Sequence, residues 1–102
     1  MMDKNKLRLA IDYIQEKVDF EEILKERHLL DDAMPSSNGE IKMKCFAHDD
    51  RTPSLSVNIY TKRFHCFSCG MHGRILEFLK EYNYHVLGRR TSISYLVDEM
   101  LR

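Results

Sequence analysis

Two short segments, Cys45-Phe46-Ala47-His48 and Cys66-Phe67-Ser68-Cys69, each hold a pair of metal-competent side chains with two residues between them. That spacing lets a tight turn aim both side chains at one ion, and a hairpin between the pairs would join the turns into tetrahedral CysHisCys₂ coordination. With all four positions filled by protein, the arrangement describes one closed, structural Zn²⁺, because a catalytic zinc keeps a position for water. Gly70, directly after the second pair, supplies the permissive backbone such a turn commonly needs. The chain has 3 cysteines, an odd number, and all lie between positions 45 and 69. Metal ligation in reducing surroundings suits them better than a disulfide framework. The alternative is a redox Cys66/Cys69 pair with Cys45 as a buried thiol. A dithiol of that kind would open a helix in a βαβ setting, which the sequence lacks. For the fourth ligand, His72 has ligand-like spacing beyond Cys69, yet adopting it strands His48, so His48 is preferred. His65 points oppositely to Cys66 on a strand, and His28 and His85 read as surface or packing residues.

Elements on both sides must position these turns. Leu7, Ala10, Ile11, Ile14 and Val18 recur at helical spacing and predict an amphipathic helix from about 5 to 18. A second is expected from about 20 to 28, with Asp19 as cap, Glu22 at the capping-box position, and Val18 with Ile23 as a staple. The run from Met34 to Gly39 breaks it. From Glu40 the pattern turns to short strands at 40–45, 54–60 and about 63–67, a small antiparallel sheet with Thr61-Lys62 as the hairpin turn, its type and the cross-strand register not fixed by sequence. Helical spacing returns at Ile75, Leu76, Phe78, Leu79 and Tyr82, and again from Ile93 to Leu101 after the cap candidates Thr91 and Ser92. The order α-α-β-β-β-α-α makes an α+β zinc ribbon, a small antiparallel sheet flanked by N-terminal and C-terminal helices. Residues 1–102 read as one domain: a helical part at 1–39, the ribbon at 40–74 and C-terminal helices at 75–102.

The 16 basic and 16 acidic residues cancel overall but not locally. Residues 1–40 carry six basic against ten acidic side chains, a net −4, whereas 41–74 carry six against two, a net +4. The metal-bearing third is therefore the basic one, able to attract a polyanion. Apolar stretches fall far short of the roughly 20 residues that span a bilayer, so a cytoplasmic, membrane-free protein is expected. The outward sheet positions Asn58, Tyr60 and Ser56, with Lys42, Lys44, Arg51, Lys62 and Arg63 nearby, make a plausible surface for a single strand, which is held by basic grooves with aromatic platforms. Of the platform candidates Tyr60, Phe64, His65 and Phe67, two are expected in the core, with Tyr60 and His65 exposed. Asp49-Asp50 is an isolated pair without the clustered carboxylates of nucleotidyl transfer, and no catalytic residue is assigned.

The segments Lys44-Cys45-Phe-Ala-His48-Asp-Asp-Arg-Thr-Pro53-Ser54-Leu-Ser-Val57 and Phe64-His65-Cys66-Phe67-Ser-Cys69-Gly70-Met-His-Gly73 resemble the CHC2 zinc-binding domain of bacterial DnaG-type primases and their phage or mobile-element relatives. Val18 to Leu24 and Ile75 to Leu79 extend the likeness over nearly the whole chain. The resemblance implies a non-catalytic module that binds one zinc and single-stranded DNA template and supports primer initiation in DNA replication. Its implied partners are a primase catalytic domain, a polymerase or a replicative helicase. A protein-interaction module docking on such a partner without touching DNA is the alternative. Two positions depart from the family pattern, Phe46 for a usual proline and Arg74 for an acidic or small residue; neither removes a ligand, and Arg74 adds a charge that could bear on template binding.

Overall fold

The computed structural model describes residues 3–49 and 51–102, so Asp50 of the Asp49-Asp50 pair lies outside it. Helix α1 spans Lys4–Lys17, capped by Asp3, whose Oδ1 accepts from the Lys6 amide at 2.8 Å. Helix α2 spans Phe20–Glu26 under the Asp19 cap, whose Oδ1 accepts from the amides of Glu21 at 2.9 Å and Glu22 at 3.4 Å. It stops short of residue 28 because His28 turns left-handed, at φ +57°, and the Leu29 amide bonds back to the Leu24 carbonyl at 3.0 Å. That six-to-one bond closes the helix as a Schellman motif does.

The sheet is larger than the three expected strands. It is a five-stranded antiparallel meander of β1 Met34–Pro35, β2 Glu40–Met43, β3 Leu55–Asn58, β4 Arg63–Cys66 and β5 His72–Arg74, in that spatial order. The Met34–Gly39 run, read from sequence only as a breaker, supplies edge strand β1 before turning through Asn38 at φ +59° and Gly39 at φ +78°. Proline is tolerated at Pro35 because an edge strand leaves an amide direction unpaired. The hairpin between β3 and β4 also differs from expectation. β3 ends at Asn58 and pairs with Arg63, so residues 59–62 form a four-residue loop instead of a Thr61-Lys62 turn. Asn58 makes this loop: its Oδ1 accepts from the amides of Tyr60 and Thr61, both at 2.9 Å, while Lys62 takes φ +59°.

Helices α3 Ile75–His85 and α4 Ile93–Met100 complete the chain. One face of the sheet contributes Ile41, Met43, Leu55, Val57, Phe64 and Cys66 to a single buried cluster. Ile14, Phe20, Ile23, Leu24, Leu96 and Val97 close the cluster from the other helices. Phe78 of α3 is its hub, meeting Phe20, Phe64 and Phe46 edge-on at centroid distances of 5.0, 5.2 and 5.5 Å, the geometry aromatic quadrupoles prefer. Gln15 ties three elements together. Its Nε2 donates to the Lys62 carbonyl at 2.8 Å and its Oε1 accepts from the first amide of α3, Ile75, at 3.1 Å. On the opposite face of the sheet lie Lys42, Ser56, Arg63, His65 and His72, and among the described residues no helix covers it. Among the described residues no helix is long and apolar enough to cross a membrane.

Candidate metal centre and the open sheet face

The first ligand pair follows β2 and the second closes β4, two strands separated only by β3, so the sheet brings the two turns together. The first turn is held by the Ala47 amide donating to Cys45 Sγ at 3.4 Å. In the second, the Gly70 amide returns to the Cys66 carbonyl at 2.9 Å while Gly70 sits at φ +80°, the left-handed conformation expected of it. The ligand atoms of Cys45, His48, Cys66 and Cys69 all lie within 4.8 Å of one another. Zinc–sulfur bonds of about 2.3 Å at tetrahedral angles put sulfurs ~3.8 Å apart, so the cluster fits one ion with little movement.

The electrostatics of the thiols point the same way. Burial pushes the Cys45 thiol up to about 12. Burial acts on Cys66 too, but it is outweighed there by hydrogen bonds, chiefly from the Ser54 hydroxyl and the Cys69 backbone, which hold the thiol down at about 6. Cys66 is thus a thiolate at neutral pH with His48 Nε2 3.4 Å from its sulfur, and a cation is the group that reconciles them with a second buried sulfur. His48 Nδ1 faces the Asp49 carbonyl at 3.1 Å. A carbonyl only accepts, so Nδ1 carries the proton and Nε2 offers its lone pair to the cluster. His72 stands outside the cluster, its Nδ1 facing the Gly70 carbonyl at 2.9 Å.

The residues named from sequence as nucleic-acid contacts fall into two groups. On the open face, Lys42, Ser56, His65 and His72 form one row across the strands, and Glu40, Asn58 and Arg63 the next, with Arg74 opposite Arg63 on the edge strand. Lys44 and Arg51 are exposed beside the first knuckle. Tyr60, 72% exposed, stands at the end of the β3–β4 loop against Gly39. The other group is engaged on the helical side. Lys62 Nζ donates to the Glu16 carbonyl at 2.6 Å, and Arg74 lies 4.0 Å from both Asp12 and Glu77.

The expectation that Phe67 would be buried with Phe64 is corrected. Phe64 is in the core at 3% exposure, but Phe67 is 71% exposed and stacks on His65, rings 4.7 Å apart and 21° from parallel. His72 lies 6.1 Å beyond His65, extending the row of rings. The signal was present in the alternation Phe64-in, His65-out, Cys66-in, which carries Phe67 outward. Glu40 was not singled out either; its carboxylate accepts from the Ser56 hydroxyl at 2.9 Å and places a negative charge at the margin of the face.

Comparison with known proteins agrees with this geometry. A family model described as the CHC2 zinc finger matches residues 6–100. The DNA primase of Pasteurella multocida is 34% identical over 76 residues, 74% of this chain and 12% of that protein. That of Lactococcus lactis is 51% identical over 39 residues, 38% of this chain and 6% of that protein. The chain therefore spans about an eighth or less of the primases it resembles. Among solved structures, the Aquifex aeolicus primase, described as its zinc-binding and RNA polymerase domains, superposes with a TM-score of 0.57 at 21% identity. The match covers 83% of this chain and 23% of that one, and shows a shared fold. The chain belongs to the CHC2 zinc finger family of DnaG-type primases, with Cys45, His48, Cys66 and Cys69 positioned to bind one zinc ion.

Proposed function

We propose that this chain is a non-catalytic, zinc-stabilised module that binds single-stranded DNA template on the open sheet face and supports primer initiation in DNA replication. The observation that carries the reading is the exposed Phe67–His65 stack on that face with Arg63 in the neighbouring row. Rings stacked at 4.7 Å offer a flat surface to a base, and stacked bases contribute about 1–3 kcal/mol each. Arg63 and Lys42 supply the cations that track a phosphate backbone. A shallow groove beside Arg63, about 330 Å³ and lined by Glu40, Ser56, Asn58, Arg63, His65 and His72, offers a seat for a base, with the Glu40 carboxylate at its margin. A primase catalytic domain, polymerase or replicative helicase would then perform the chemistry, in the cytoplasm. Fluorescence anisotropy of a labelled single strand over a salt series tests this. Phe67→Ala is expected to weaken binding by about 1–3 kcal/mol, and Arg63→Glu to lower the salt slope by about one. Unchanged affinity and slope in both variants would discard the reading.

A second reading, docking on a replication protein without DNA contact, draws on one feature. Leu9 and Tyr13 lie one turn apart on α1, 69% and 57% exposed, within the acidic N-terminal segment. Stable co-purification of such a partner, lost on Tyr13→Glu, together with no DNA binding, would favour it.

A further inference from the structure

The helical side of the molecule carries a second cationic recess, remote in kind from the open sheet face. Ile75, Leu76, Phe78 and Leu79 turn α3 towards the sheet and are buried, whereas Lys80 and Tyr84, one turn apart, are exposed. The segment joining α3 to α4 brings Arg89, Arg90 and Thr91 back against this side, fastened by the Arg89 amide on the Asn83 carbonyl at 2.9 Å. The Arg90 guanidinium lies 5.5 Å from the centre of the Tyr84 ring, a cation–π contact that holds a flexible side chain beside the recess. Lys80, Glu81, Tyr84, Arg90 and Thr91 line a cleft of about 490 Å³, within the usual range of roughly 300–1,000 Å³ for small-ligand sites.

Three features give the cleft a chemical preference. Among the described residues neither Lys80 nor Arg90 makes an ion pair, so neither is matched by a carboxylate. The acidic member, Glu81, is turned to His85, 3.2 Å from its Nε2. Thr91 is the buried polar residue of the described chain, at 8% exposure, and its Oγ1 faces the Asn83 amide nitrogen at 3.4 Å. The amide donates and the oxygen accepts, which leaves the Thr91 hydroxyl, at the wall of the cleft, with its own hydrogen still to donate. Two cations and a hydroxyl donor line the cleft, where the one carboxylate, Glu81, is engaged by His85, and together they match the several acceptor oxygens of a phosphate.

The geometry points to this cleft as a binding site for the phosphate groups of a nucleotide, either free or within a strand, held by Lys80, Arg90 and Thr91. It does not depend on the template reading, because the residues that line it are shared with none of those on the open face. The test uses the full zinc-loaded chain, labelled with ¹⁵N, titrated separately with inorganic phosphate, ATP and a short oligothymidylate. At least one of these is expected to shift the amides of residues 80–92 saturably, with Arg90→Gln and Lys80→Gln each weakening that response about tenfold or more and Arg63→Gln leaving it intact. Response to ATP or phosphate identifies the free source, and response to the oligonucleotide alone identifies the strand. Both replaced side chains are exposed, and zinc stoichiometry with a dispersed spectrum verifies folding of each variant. Silence of residues 80–92 towards all three probes, or an undiminished response in Arg90→Gln, would overturn the inference.

Discussion

At the scale of single residues, the ring proton of His48 decides the metal chemistry. The Asp49 carbonyl at 3.1 Å takes the Nδ1 hydrogen, leaving Nε2 as donor atom, so His48→Ala removes a ligand whereas His72→Ala removes a side chain outside the cluster. Zinc content by mass spectrometry under native conditions should fall well below one per chain in the first variant and stay at one in the second. Loading also depends on pH, with a definite sign. Cys45, pushed up to about 12, gives up a proton when zinc binds at neutral pH, while Cys66, held near 6, enters already ionised. Apparent zinc affinity should therefore fall as pH drops from 8, and fall more steeply below about 6, where Cys66 must be deprotonated as well. Competition against a chromophoric chelator from pH 5 to 8 measures this, and a flat profile would contradict it. The ligands were legible from sequence because two-residue spacing is a local, rigid constraint. Phe67 was not, because the rule that small domains bury their aromatics competed with strand alternation, and alternation won.

Turns and short strands, more than helices, decide how the elements of this fold meet. Helix α1 and the ligand turns follow from periodicity and spacing, but β1, β5 and the four-residue β3–β4 loop depend on which strands are near, information that local patterns do not carry. At Gly39, φ is +78° and a Cβ would approach the Tyr60 ring to 2.6 Å, so strain and collision coincide. Gly39→Ala is expected to cost about 1–3 kcal/mol, read as a lowered midpoint in thermal unfolding of the zinc-loaded protein. Gln15 poses a complementary case. Replacing it with alanine leaves the Lys62 carbonyl and the Ile75 amide without their partner, a loss of about 1–3 kcal/mol. Gln15→Glu keeps the acceptor for Ile75 but sets a carboxylate against the Lys62 carbonyl, so it should recover little of that loss. Sequence offered no sign of this clamp, since its partners lie 47 and 60 residues away.

For the molecule as a whole, the metal and the hydrophobic core are one structure. Cys45 and Cys66 are 5% and 0% exposed and belong to the same cluster as Phe78, with Phe46 of the first knuckle reaching Phe78 and Tyr82 at 5.5 Å each. Structural zinc binds with roughly 10–16 kcal/mol in small domains, comparable to the total of about 5–15 kcal/mol by which a domain is stable. Removing the ion leaves one buried thiol, one buried thiolate and two untethered knuckles at the edge of that cluster. The sheet and the helices lean on the same aromatic hub, so they should not survive separately. Chelation is therefore expected to abolish near-ultraviolet circular dichroism and amide dispersion in a single transition that includes α3, not to release the ribbon alone. The same transition should remove the single-strand binding proposed for the open face, whereas re-addition of zinc under reducing conditions restores both together. A chelated protein that kept its helices packed and lost only the signals of residues 44–49 and 66–71 would show instead that the core stands without the metal.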